Sequence, residues 1–301
     1  MESGRGPRTS VVIPTSRPGE GVEACLAALE GGTVDDFEAI VVDSSAAGEA
    51  QGLLDGLPHA RVLRPEAPLP PHEARNLGAE RARGQTIAFT DADCVPRPDW
   101  LERLLEEHER GSALVGGAID PDGGGLVERG ADLCKFAPWL EGLPAGGRHT
   151  LPTANLSLSR AAWERVGPFR LLAWSGDTEL CRRAHEAGLG LRFEPRAVVR
   201  HDDPVRLRRF LRERRERGSA YAALRVAIES WSRPRAAAYA AAAPLLAGWL
   251  GLRGMLATIR SGRPAAALLT LPVTVAGFAS WALGEAGAYA RHAARGAPPA
   301  T

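Results

Sequence analysis

Residues 86–94 are Thr86-Ile87-Ala88-Phe89-Thr90-Asp91-Ala92-Asp93-Cys94, an apolar strand that runs straight into two aspartates spaced one residue apart. The alternation of such strands with helical stretches predicts an open α/β sheet. Asp91 and Asp93 then stand at the carboxyl end of a buried strand, where sheets of this kind bind ligands. Carboxylate oxygens suit a hard divalent cation, Mg²⁺ or Mn²⁺, which completes its shell with substrate phosphates. A calcium loop is excluded, because Val95 and Pro96 stand where a further ligand and a glycine belong. The other reading makes them surface aspartates capping the next helix.

The strands on either side set the frame. Residues 9–14, 37–43, 60–64 and 85–90 read as strands, with helices at 18–30, 71–83 and 98–110 and a weak one at 46–56. Nearly continuous apolar strands alternating with helices predict a mostly parallel sheet with helices on both faces. Residues 112–120 continue it. Residues 121–150, rich in Gly and Pro, read as a long loop with one helical piece near 126–136. A strand at 153–159, helices at 160–166 and 177–187 and strands within 190–200 complete the globular part.

Bulk composition sets limits. The chain has 301 residues, 45% of them apolar, with a formal net charge of +1. Nothing in that balance marks a nucleic-acid binder. Four dispersed cysteines (Cys25, Cys94, Cys134 and Cys181) form no CxxC pair and read as reduced thiols. The segment MESGRGPRTS has no apolar core of a signal peptide.

Beyond residue 203 the composition changes. Residues 206–228 are basic and helix-prone, and residues 236–252 and 264–284 carry no charge. The second stretch is long enough to span a hydrocarbon layer of about 30 Å. The expected organisation is a catalytic domain over 1–203, a basic amphipathic helical linker over 204–235, and an apolar helical hairpin over 236–301 in or on a membrane. Arginines ahead of it suit an anionic cytoplasmic surface.

Other residues offer chemistry, each beside a plainer reading. Asp43 ends a strand, as does an acid that binds ribose hydroxyls in a dinucleotide fold. Gly19-Glu20-Gly21-Val22-Glu23-Ala24 even matches G-x-G-x-x-A, but four residues separate it from the strand and the fingerprint wants its first glycine at the turn. Arg75, early in a helix, either pairs with a diphosphate or is an ordinary solvated arginine. Asp177 either caps a helix or serves as general base toward a hydroxyl. In that case Glu179 and Arg182 or Arg183 shape its surroundings. His201 closes a strand ahead of Asp202-Asp203 and either completes a metal shell or packs.

The ordered set resembles the family 2 glycosyltransferases, with their GT-A nucleotide-diphospho-sugar transferase fold. It comprises Val11–Thr15, Ile40–Ser45, Ala74–Gly78, Thr90–Asp93, Asn155–Ser157, Gly176–Leu180 and Val198–His201. The resemblance implies that Pro14 and Thr15 line a nucleoside pocket and Asp43 reads the base. It puts Arg75 beside the donor, Asp91 toward ribose and sugar, Asp93 on the metal with help from His201, and Asp177 in the role of catalytic base. The chain departs from the family pattern in two places: Gly176 stands where an acid is usual, and Ser44-Ser45 replace an acid and a glycine.

The activity implied is inverting transfer of a sugar from a nucleotide-diphosphate donor to a hydroxyl of a cell-envelope or lipid-linked glycan. It would take place at the cytoplasmic surface of the cell membrane, without nucleic acid. The alternatives are an NAD-dependent oxidoreductase built on Asp43 and the glycine stretch, and a catalytically inactive, membrane-anchored nucleotide-sugar-binding module.

Overall fold

The computed structural model describes residues 6–46, 48–54, 56–121, 124–170 and 175–295. Positions 47 and 55 of the expected weak helix, 122–123 of the expected loop, and 296–301 lie outside the described residues. In chain order the elements are β1 (Thr9–Thr15), α1 (Glu20–Glu30), β2 (Phe37–Asp43), a 3-10 turn (Glu49–Leu54), β3 (Ala60–Leu63), α2 (Pro71–Glu80), β4 (Thr86–Thr90) and β5 (Cys94–Pro96). There follow α3 (Trp100–Glu109), β6 (Leu114–Asp120), α4 (Leu126–Phe136), a 3-10 turn (Ala137–Trp139), β7 (Gly146–Gly147), β8 (Asn155–Ser159), α5 (Arg160–Val166), α6 (Gly176–Glu186) and β9 (Leu191–His201). Four helices close the chain: α7 (Leu207–Ile228), α8 (Arg233–Arg260), α9 (Pro264–Leu269) and α10 (Leu271–Arg295).

These form two compact units. One comprises residues 1–122, 143–172 and 176–202; the other comprises 123–142, 173–175 and 203–301. The first is built on a single sheet in the order β3-β2-β1-β4-β8-β6-β9-β5, with β7 beside β9. Every residue of β2, β4 and β6 is buried, which requires cover on both faces. Local sequence explains the helix starts: Pro71 opens α2 after Pro70, and the Ser159 hydroxyl accepts the Ala162 N–H to cap α5.

The expectation of a mostly parallel sheet holds for β1 to β4, where β3, β2, β1 and β4 run in one direction. Beyond them the sheet is mixed. β8 is antiparallel to both β4 and β6, β9 is parallel to β6, and the short β5 is antiparallel to β9. Strands β1, β2, β4, β6 and β9 therefore share one direction, so their carboxyl ends meet at one edge. Helices α1, α2 and α6 each lead into a strand of that direction and run opposite to it, which places their first turns at the same edge.

An acid knot ties the opposite edge. Glu38, 3% exposed, accepts hydrogen bonds from the Ser10 hydroxyl (2.7 Å), the Arg83 backbone N–H (2.7 Å) and Arg61 Nε (3.1 Å). Burial alone pushes its carboxyl up, but the bonds from Ser10, Arg83 and Arg61 outweigh that and hold it below its ordinary value of 4.5.

In the second unit, α7 and α10 pack through close backbone contact. A Cβ on Gly218 would lie 2.4 Å from the Trp281 carbonyl, and one on Gly284 would lie 2.0 Å from that of Arg215. Arg214, buried in α7, lays its guanidinium 4.4 Å from the Trp281 ring. Part of the basic segment is thus internal to this unit, while Arg206, Arg208, Arg212 and Arg215 stay exposed.

Among the described residues, α8, at 28 residues, is the one helix long and apolar enough to cross a membrane, with a mean hydropathy of 1.3 over its most apolar 18-residue stretch. The 264–284 stretch, favoured from sequence as the spanning segment, is instead broken at Thr270 between α9 and α10. The uncharged run at 236–252 is lengthened by flanking residues that continue the same helix. Leu245 (79%) and Trp249 (57%) on α8 are exposed. An apolar cavity of about 550 Å³ lies between α8 and α10, lined by Pro244, Gly248, Leu252, Met255, Phe278 and Leu283.

Glu38→Gln is expected to destabilise the protein by about 1–3 kcal/mol, since it leaves buried donors poorly satisfied. A depressed folded value means the contribution is present above 4.5 and is lost as pH falls through the folded value. Denaturant titrations down the acid range should therefore show a steeper loss for the wild type than for the variant.

Candidate active site

The shared edge brings the donor-site candidates together. Thr15 and Asp43 are register partners at the ends of β1 and β2, and the Ser44 N–H donates to the Thr15 carbonyl at 2.7 Å. Pro14, which has no N–H to give, precedes Thr15. Strand order reverses at β1, between β2 and β4, which makes this a topological switch point.

Asp43 is 1% exposed and holds its own loop. Its two oxygens accept the Ser45 N–H (2.8 Å) and the Ala50 N–H (3.0 Å). Burial pushes the carboxyl up; bonds from Ser45 and Ala50, with the charge of Arg64, more than reverse this and keep it ionised. Next to it the Ser44 hydroxyl, also buried, has no hydrogen-bond partner among the described residues.

Arg75 is not a solvated helix arginine. It is 5% exposed and its Nη2 donates to Asp91 Oδ1 in a very short contact. Its Nε is buried and finds no hydrogen-bond partner among the described residues. Asn76, the next residue, clamps a different strand of chain. Its Nδ2 donates to the Phe169 carbonyl and its Oδ1 accepts the Phe169 N–H, both at 2.8 Å.

Asp93 meets His201 because β5 pairs antiparallel with β9, which sets Cys94 opposite His201. The Asp93 carbonyl accepts the Asp202 N–H at 2.8 Å, and its Oδ1 lies 3.9 Å from His201 Nε2. An oxygen and an imidazole nitrogen at that spacing are a donor pair suited to a divalent cation. The short β5 that creates the pairing was not legible as a strand in the sequence.

Asp177 stands in the first turn of α6, where its Oδ1 accepts the Thr178 N–H at 2.7 Å. The start of α6 is tied to the DxD strand through a residue that sequence reading passed over. His72 packs its ring on Gly176, lies 3.5 Å by Nδ1 from Arg75 Nη1, and Arg75 in turn holds Asp91. The one available signal was spacing: His72 and Arg75 are three apart, on one helix face. Glu179 is a packing acid. It is 2% exposed and is bound by Arg183 (2.9 Å), Arg182 (3.2 Å) and Arg170 (3.2 Å).

The Gly19–Ala24 stretch opens α1. A Cβ on Gly21 would lie 3.0 Å from the Ala92 carbonyl, so this glycine is needed for close packing on the DxD turn. Behind that turn lie Cys25 and Cys94, fully buried. Burial first, then the charges of Asp93 and Asp91, push both thiols well up, which leaves them unreactive. All four cysteines are free and buried.

Sequence and structure comparisons bear on this geometry. A model described as "Glycosyl transferase family 2" matches residues 10–156, and one described as "Glycosyl transferase family group 2" matches residues 86–280. Glycosyltransferase AglE of Haloferax volcanii is 31% identical over 62% of this chain and 64% of its own length. The pre-mycofactocin glycosyltransferase of Mycobacterium tuberculosis is 31% identical over 72% of this chain and 47% of its own. Succinoglycan biosynthesis protein ExoM of Rhizobium meliloti is 33% identical over 55% and 56%. The chain thus spans about half to two thirds of the length of these curated relatives. The crystal structure of GalNAc-T7 with UDP, GalNAc and Mn²⁺ shares the fold, with a TM-score of 0.54 at 18% identity over 73% of this chain and 51% of that one. The sheet edge that gathers Thr15, Asp43, Asp91 and His201 therefore belongs to a GT-A fold, and this chain is a member of the family 2 glycosyltransferases.

Proposed function

We propose that this edge transfers a sugar, with inversion, from a nucleotide-diphosphate donor to an acceptor hydroxyl. The observation that carries the reading is the convergence on one sheet edge of a buried arginine, an aspartate–histidine pair and the first turn of α6 with Asp177. Two buried polar atoms at this edge, Ser44 Oγ and Arg75 Nε, have no hydrogen-bond partner among the described residues. A hydroxyl beside Asp43 suits a nucleoside, and an arginine N–H suits a phosphate oxygen.

Pro14, Thr15 and Asp43 would then form the nucleoside end of the site. Arg75 would hold the diphosphate, with Asp91 fixing its guanidinium and facing the ribose and sugar. The donor set of Asp93 and His201 fits Mg²⁺ or Mn²⁺, and a cation held there would offset the negative charge of the departing diphosphate. Asp177 would accept the proton of the acceptor hydroxyl as its oxygen attacks the anomeric carbon and the bond to the donor phosphate breaks.

The acceptor we favour is a cell-envelope or lipid-linked glycan, with the catalytic unit on the cytoplasmic face of the membrane. Support comes from the apolar, largely exposed α8, from the cavity beside it, and from the exposed arginines of α7. Succinoglycan biosynthesis is what the name of the ExoM relative states for that protein. The oxidoreductase alternative loses its support, since Gly21 is explained by packing on Ala92.

Asp177→Asn is expected to lower turnover by about 10²–10⁴-fold with donor affinity nearly unchanged, as measured by initial rates and a thermal-shift titration. Loss of affinity at constant turnover would contradict the base assignment. A screen of nucleotide sugars with and without Mn²⁺ should give stabilisation of about 2.7 kcal/mol at a hundred times the dissociation constant. Asp93→Ala should abolish the Mn²⁺-dependent part of it. The two aspartates should also differ in stability. Asp91→Asn removes the counter-charge of a buried arginine and should cost about 1–3 kcal/mol in urea unfolding, whereas Asp93→Asn should change little. Charged residues in place of Leu245 and Trp249 should shift the protein from the membrane to the soluble fraction of lysed cells.

A further inference from the structure

We propose that His72 is a positioning residue of the transfer site, one that holds the Arg75 guanidinium in place and seats the first turn of α6 beneath Asp177. The inference rests on the donor-site reading above and adds a residue that no part of that reading required.

Three elements meet on the His72 ring. Its face stacks on Phe169, with centroids 5.3 Å apart and planes 28° from parallel. Phe169 is a firm base, because it is 1% exposed and its backbone is clamped in both directions by Asn76. One edge of the ring presents Nδ1 to Arg75 Nη1 at 3.5 Å. A guanidinium is always protonated, so the nitrogen facing it is the one that carries no proton. The remaining edge covers Gly176. A Cβ there would lie 2.7 Å from both Cδ2 and Nε2 and 2.9 Å from Cε1. A glycine at 176 is therefore what allows the ring to sit where it does.

The consequence is mechanical. Arg75 is held by Asp91 at Nη2 and faces His72 at Nη1, while its Nε has no partner among the described residues. His72 thus limits rotation of the guanidinium about the Asp91 contact. The same ring fixes the height of Gly176, and with it the residue that follows, Asp177. A single side chain couples the diphosphate end of the site to the general base.

The test uses the full chain and a panel of UDP, GDP and dTDP, each with Mn²⁺. His72→Phe keeps an aromatic ring on Phe169 but loses the acceptor opposite Arg75. It should retain the wild-type melting temperature and weaken binding of the recognised diphosphate about tenfold, the low end for a hydrogen bond to a charged group. His72→Asn offers an oxygen near the place of Nδ1 and should restore binding to within about threefold of wild type. Gly176→Ala should also weaken binding, by pushing the ring away, yet add no further loss in the His72→Ala background. Unchanged binding in His72→Phe, or additive losses in the double variant, would overturn the proposal while leaving the donor site intact. If none of the three diphosphates binds the wild type, the donor-site reading itself fails and this inference falls with it.

Discussion

A guanidinium withdrawn from water needs a compensating partner, and in this protein Arg75 meets Asp91. That pair joins the first turns of α2 to the end of β4. Once α2 is anchored, its next residue, Asn76, fixes the backbone at Phe169, and Phe169 supports His72. His72 in turn packs on the start of α6. The geometry of the candidate site follows outward from one ion pair through three successive contacts.

The carboxylates around this edge divide by environment. Asp43 is buried and occupied by the amides of its own loop, so its first task is to shape residues 44–50. Asp91 is committed to a buried cation. Asp93 is 40% exposed along its side chain and faces an imidazole. Asp93 is thus the most exposed of the three acids. Glu179, two residues beyond Asp177 on the same helix, is consumed by three arginines. Neighbours of one chemical type are separated in role by burial and by the number of donors that reach them.

The second unit obeys different constraints. Glycines at 218 and 284 let α7 and α10 approach until backbone touches backbone, and Arg214 is buried against Trp281. Close helix packing through small residues gains dispersion contacts that do not depend on water, as suits a helix set that carries exposed leucines and a tryptophan. The arginines of α7 are consequently of two kinds: some face inward onto aromatic rings and others remain exposed to solvent.

Much of the first unit is legible in the sequence, because its strands are continuous apolar runs and helices such as α2 and α5 begin at a proline or a capping serine. The ends of β2 and α5 are read to the residue for that reason. The DxD, Asp43 and Asp177 stand out because acids at the ends of buried segments are costly unless used. What linear order could not reveal was contact between distant segments. The antiparallel β8 and the three-residue β5, the partner of Arg75, the pairing of Asp93 with His201 and the ring of His72 over Gly176 all depend on residues far apart in the chain. Local propensity and burial pattern determine which segments form; which side chains face each other is decided only when sheet register and helix packing close over them, because those contacts have no energy until the chain has folded.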